Sequence, residues 1–199
     1  MIIDNIKIGN TKCILFVGEN QYDFASITAV SYKIKKGMEI PNEKFWEMLN
    51  ESDKILCKEY LFGLIAKYQK TEQGYRDKLY SKNFHKNAVE NAIDIAKSYG
   101  YIDDDVYCRN YIATYQDKKG KLRLKNELYN KGISSSIYEK YLELTNDNQI
   151  ALASKFADKW CQRNKLDFDS KDKLVRHLVG KGFSFDVINT VISEIKNNN

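Results

Sequence analysis

Proline occurs once in this 199-residue chain, at Pro41, so almost nothing in the sequence interrupts a helix. Histidine occurs twice, as His85 and His177, at unmatched positions and with no paired cysteine or acid motif beside either. Glycine-rich loops that cradle phosphates are missing as well, and together these absences exclude the common catalytic constellations. The four cysteines, Cys13, Cys57, Cys108 and Cys161, lie far apart with no CxxC pair. That spacing excludes a zinc site or a disulfide framework and reads Cys57 and Cys108 as small buried side chains. No apolar run approaches the roughly eighteen residues of a membrane span, and the mean hydropathy is −0.57. The opening MIIDNIKIGN lacks the basic and apolar regions of a secretion signal, so the protein is expected to stay in the cytoplasm. No catalytic residue, metal or cofactor is expected.

What the chain does have is a repeat. KLYSKNFHKNAVENAI (78–93), ELYNKGISSSIYEKYL (127–142) and HLVGKGFSFDVINTVI (177–192) align without a gap. Leu79, Leu128 and Leu178 share one column, Lys82, Lys131 and Lys181 the next, then Asn83, Gly132 and Gly182, then Phe84, Ile133 and Phe183. Asparagine and glycine tolerate the left-handed conformation that ends a helix. Each block therefore reads as helix, turn, helix, with Ser134 and Ser184 as caps and Ala88/Ala92, Ile137/Tyr141 and Val187/Val191 as apolar pairs. Longer amphipathic segments precede the blocks at Asp53–Tyr68, Asp104–Tyr115 and Asn148–Arg163. The fold expected is mainly α: three tandem three-helix repeats forming an elongated, curved array.

Residues 1–25 differ, with strand-like runs IIDNIKI, KCILFV and Gln21–Ala25 that predict a small antiparallel β extension. Ile27, Val30 and Ile34 then favour a short helix stopped by Gly37, and NEKFWEMLNE after Pro41 a bridging helix. The expected domains are residues 1–51, the β extension and bridging helix; 52–102, repeat 1; 103–145, repeat 2; and 146–199, repeat 3. Asp103-Asp104-Asp105 could serve metal or acid–base chemistry, but acids at a helix start are favoured by capping and by the dipole, and capping is the reading adopted.

The net charge of +5 is mild, so its distribution matters more. Lys118, Lys119, Lys121, Arg123 and Lys125 sit together with no intervening acid, Lys118, Lys121 and Lys125 on one helical face, and Lys131 follows. A solvated helix face gives the same pattern. Its recurrence as Arg76, Lys78 and Lys82 in repeat 1 and as Lys173, Arg176 and Lys181 in repeat 3 favours a binding stripe of all twelve cations. Tyr111, Tyr115 and Tyr129 lie among them and could stack bases, although tyrosines at helical spacing are more often core.

Ile102-Asp103-Asp104, Tyr107-Cys108, the run from Gly120 to Leu128, Lys131-Gly132-Ile133 and Lys181-Gly182-Phe183-Ser184 together resemble the signature of RecX, the bacterial regulator of the recombinase RecA. The N-terminal runs ending in Lys36-Gly37-Met38-Glu39 resemble the extension of members from low-GC Gram-positive bacteria. Departures are Lys70-Thr71-Glu72, Asn83 in place of a glycine, and Cys108 in place of an alanine. The resemblance implies a monomeric, non-enzymatic protein that binds in the groove of the RecA–single-stranded DNA filament. It also implies inhibition of recombinase, ATPase and co-protease activities, with single-stranded DNA contacted inside the filament or weakly alone, and no membrane partner. A stand-alone nucleic-acid-binding repeat protein is the alternative.

Overall fold

The computed structural model describes residues 1–143, 148–164 and 168–197, with some side chains at the edges of these ranges left aside. The elements are β1 (Asn5–Lys7), β2 (Lys12–Val17), β3 (Asn20–Ala25), α1 (Ser26–Ser31), α2 (Asn42–Ile65), α3 (Glu72–Tyr80) and α4 (Lys86–Ser98). They continue as α5 (Asp104–Tyr115), α6 (Lys121–Asn130), α7 (Ser135–Glu143), α8 (Gln149–Cys161), α9 (Phe168–Lys181) and α10 (Phe185–Asn197). The chain divides into two compact units, Met1–Ile102 and Asp103–Asn199.

In the first unit the three strands form an antiparallel sheet in the order β1-β2-β3. Strand alternation puts Cys13, Leu15 and Phe24 inside and leaves Lys12 and Asp23 outside, where they pair at 2.6 Å. α2 runs unbroken for 24 residues, about 36 Å at 1.5 Å per residue. Its first half buries Phe45 and Met48 against the sheet, and its second half buries Cys57 and Leu61 against α3 and α4. The bridging helix and the first repeat helix expected from sequence are thus one element. Ser52, at the expected start of repeat 1, is fully buried and its Oγ accepts a hydrogen bond from the Ala25 amide at 2.6 Å. The polarity serves a strand edge rather than a helix end.

α1 also departs from expectation. Two of its three stripe residues point outward, Ile27 64% and Val30 72% exposed, while Thr28 and Ala29 are buried, as is Ile34 beyond the helix end. The Ser26 amide donates to the Thr11 carbonyl at 2.9 Å, so the strand exit sets the roll of this six-residue helix, and hydrophobic patterning cannot. The helix ends well before Gly37, whose amide instead joins the Ile3 carbonyl.

The repeats appear as α2-α3-α4, α5-α6-α7 and α8-α9-α10, with separate cores. Leu79, Leu128 and Leu178 are all fully buried. Asn83, Gly132 and Gly182 hold φ of 62°, 81° and 92°, so the aligned turn has the left-handed backbone its residue types require. Asp103 caps α5, accepting from the amides of Asp105 and Val106 at 2.9 and 3.0 Å. Thr71 caps α3 and Ser184 receives the Val187 amide at 3.5 Å, whereas the Ser134 hydroxyl turns to Ser136. In α7 the most buried positions are Tyr138 and Leu142, one residue on from the expected Ile137/Tyr141 pair. The expected boundary between residues 145 and 146 lies outside the described residues.

Within the second unit, repeats 2 and 3 meet backbone to backbone. The Gly120 amide donates to the Lys181 carbonyl at 2.8 Å and the Leu122 amide to the Gly182 carbonyl at 3.0 Å. The Lys121 amide donates to Gln149 Oε1 at 2.8 Å. Amides at the start of α6 that its own turns cannot satisfy are therefore met by repeat 3.

Candidate functional surface

The aligned lysines share one environment. Lys82 lies 6.0 Å from the Tyr60 ring centroid, Lys131 5.4 and 5.9 Å from those of Tyr111 and Tyr107, and Lys181 5.2 Å from that of Phe156. Each cation lies at or just past the end of the second helix of its repeat and reaches back over an aromatic ring of the first. Such a contact clamps the repeat, for about 0.5–1 kcal/mol at half-exposed sites.

Arg76 on α3 is held more firmly. Its guanidinium bonds Glu72 Oε1 at 2.6 Å and also Glu90, and Lys97 reaches Glu72 at 2.8 Å. Burial opposes the charge on Arg76, but both carboxylates outweigh it and keep the group protonated. Lys78, two residues on and so on the opposite side of α3, is exposed with no partner among the described residues.

In repeat 2 the expected single face breaks up. α6 begins at Lys121, so Lys118 and Lys119 lie in the turn before it and only Lys121 and Lys125 share its surface. Lys118 reaches the Tyr115 ring, and Lys125 pairs with Glu139 at 2.9 Å. Lys119 turns inward: its Nζ is 2.6 Å from Glu127 Oε2, 3.2 Å from the Tyr111 hydroxyl and 4.0 Å from the Tyr115 centroid. Arg123 Nε adds a bond to Glu127 Oε1 at 3.0 Å, and the Tyr111 hydroxyl donates to Oε2 at 2.7 Å. Partial burial pushes the Glu127 carboxyl up, but hydrogen bonds from Lys119, Tyr111 and Arg123 win and hold it at about 2. This acid-centred hub is invisible in the sequence, where Glu127 is one acid in a basic run.

Tyr107, Tyr111 and Tyr115 form a ladder along α5, with centroids 6.1 and 4.6 Å apart. Lys119 and Lys131 lie against it and the Tyr111 hydroxyl is engaged, so Tyr111 and Tyr115 are committed to the repeat rather than open for base stacking. Tyr129 remains 70% exposed. In repeat 3, Lys173 and Arg176 are exposed on α9, Arg176 donating from Nε to the Asp172 carbonyl at 3.2 Å.

Burial pushes the Cys57 thiol up to about 12 and that of Cys108 to about 11. His85 is exposed, with its amide and Nδ1 each 3.0 Å from Asp53 Oδ2. His177 is pushed down by burial and by Lys181. Among the described residues no three His, Cys, Asp or Glu side chains converge as a metal would need, and no helix is long and apolar enough to cross a membrane.

This arrangement of helical triplets has known counterparts. Residues 103–142 match the family model of the RecX second three-helix domain, and residues 147–192 that of the RecX third three-helix domain. A regulatory protein RecX of Clostridioides difficile (strain 630) is 33% identical over 172 residues, spanning 84% of this chain and 81% of the relative. The chain belongs to the RecX family. A second RecX relative, from Clostridium acetobutylicum, is 30% identical over 190 residues, spanning 91% of this chain and 89% of its own. The crystal structure of RecX from Lactobacillus salivarius superposes with a TM-score of 0.65 at 26% identity, covering 73% of this chain and 98% of that one. Another RecX crystal structure covers 96% of this chain with a TM-score of 0.68 at 20% identity, a likeness of fold.

Proposed function

We propose that this protein regulates RecA without chemistry of its own, by binding the RecA–single-stranded DNA filament in its groove. There it inhibits the recombinase, ATPase and co-protease activities. The observation that carries the reading is membership of the RecX family, whose relatives are named regulatory proteins. Outward cations recur in each unit, on α3 of the first and just before α6 and on α9 of the second, and they support it, since DNA phosphates or acidic side chains attract them. Lys78, Lys118, Lys173 and Arg176 are its best candidates for direct contact; Arg76 and Lys119 shape the surface from within. The reading places a monomer in the cytoplasm beside its partner. A stand-alone nucleic-acid binder draws less support, because Tyr111 and Tyr115 are packed against lysines, which leaves Tyr129 alone of the three exposed for stacking.

The test is the DNA-dependent ATPase of the cognate RecA, with this protein added substoichiometrically to preformed filaments beside an anisotropy titration on bare single strands. Decay of ATP hydrolysis with weak bare-DNA binding is the expected result. Unchanged hydrolysis with tight bare-DNA binding would replace filament regulation with the nucleic-acid reading.

A further inference from the structure

The β extension carries an unfinished edge. Because the Ser26 amide bonds the Thr11 carbonyl and Lys12 faces Ala25, the parity of the β2–β3 ladder is set. Hydrogen-bonded and non-bonded pairs alternate, so Phe24 and Tyr22 turn their backbone groups to β2, while Ala25, Asp23 and Gln21 turn theirs away. The outward amide of Ala25 is met by Ser52 of α2. Those of Asp23 and Gln21 have no partner among the described residues. Both residues are exposed and line a groove of about 800 Å³ within the first unit. Its other wall is α2, through Trp46, Leu49 and Leu56, and the turn at Phe84 and His85.

We propose that this edge is a docking site for an extended polypeptide segment of another protein, which adds as a fourth strand beside Gln21–Asp23 and sets a bulky apolar side chain against Trp46, Leu49 and Leu56. The backbone names the class of ligand. Donor and acceptor groups repeating about every 6.8 Å along an extended chain match another extended chain and neither a phosphate nor a metabolite. The wall names the side chain: Trp46 is 49% exposed yet held edge-on by Tyr22 and Phe45, at 5.9 and 5.6 Å between centroids, a rigid aromatic anchor. A second copy of the chain is a poorer fit. Its own β3 carries the same α2 wall, and symmetric edge pairing would bring two such walls together at one edge. The exposed Lys12–Asp23 pair beside the edge further disfavours sheet-to-sheet association while leaving the backbone accessible to a single segment.

The test uses the full-length protein and a phage-displayed library of random twelve-residue peptides. Enriched peptides are titrated into the isotope-labelled protein while amide exchange is followed at Gln21 and Asp23. The expected result is enrichment of alternating sequences with a bulky apolar residue, and exchange at both amides slowed by about tenfold or more. Asp23→Pro deletes one outward donor and no β2–β3 bond, so it should abolish binding; Trp46→Ala, which removes the ring packed on Tyr22 but no backbone bond of the sheet, should weaken it by about tenfold or more. Failure to enrich any peptide over an Asp23→Pro counter-selection overturns the proposal. So does an enriched peptide that leaves exchange at Gln21 and Asp23 unchanged; this readout stands even if Asp23→Pro does not fold.

Discussion

Glu127 shows how a single side chain can organise a surface made of the opposite charge. Its carboxylate gathers Lys119, Arg123 and the Tyr111 hydroxyl, and so decides which cations of repeat 2 point in and which stay out. The folded carboxyl ionises at about 2, well below the ordinary glutamate value of 4.5. A depressed folded value stabilises the native state fully above about pH 5, and that contribution is lost as pH falls towards 2. After solvent screening the contribution is about 1–2 kcal/mol. Urea titrations should therefore find Glu127→Gln less stable than the wild type by that amount at pH 6, with the gap closing near pH 2.5. A gap independent of pH would mean that Glu127 acts through packing alone. The twelve cations were all legible in the sequence as charges, but their division into buried partners and exposed contacts was not. That division depends on which acids the neighbouring helices bring to them, Glu127 on α6, Glu139 on α7 and Glu72 and Glu90 on α3 and α4, a tertiary fact.

At the scale of elements, local chemistry was legible and the joints between elements were not. The capped start of α5 and the left-handed turns at Asn83, Gly132 and Gly182 follow from residue type and position. The continuity of α2 does not, because Ser52 is polar for the sake of β3. Ser52→Ala would strand the buried Ala25 amide and should cost about 1–3 kcal/mol, read as a lower urea midpoint for the first unit. The seam between repeats 2 and 3 is equally specific. A Cβ on Gly182 would lie 2.2 Å from the Arg123 Cβ, on a backbone with φ of +92°. Two residues away, a Cβ on Gly180 meets open space inside α9. Gly182→Ala should lower stability by about 3 kcal/mol or more through strain and overpacking, whereas Gly180→Ala should raise it by about 0.5–1 kcal/mol through helix propensity. Differential scanning calorimetry of the two variants against wild type checks both signs.

For the molecule as a whole, the net charge of +5 looks small until it is located. Residues 118–131 hold six basic side chains against the single acid Glu127, so this one segment carries the entire excess and the remainder of the chain balances to zero. A regulator whose excess charge sits on one helix and its approach should bind a polyanionic filament with a salt dependence governed by that helix. If its contacts are to single-stranded DNA phosphates, each lysine lost should flatten the log–log slope of affinity against salt by about 0.7. Lys118→Gln, Lys121→Gln and Lys125→Gln combined should then reduce that slope by about 2, with binding to RecA–DNA filaments followed by anisotropy between low and physiological salt. The same three changes should cost little stability, because an exposed pair such as Lys125–Glu139 is screened by solvent. Lower affinity at every salt concentration with an unchanged slope would place these lysines against protein carboxylates rather than DNA. Unchanged affinity and slope would move the contact surface to α3 and α9.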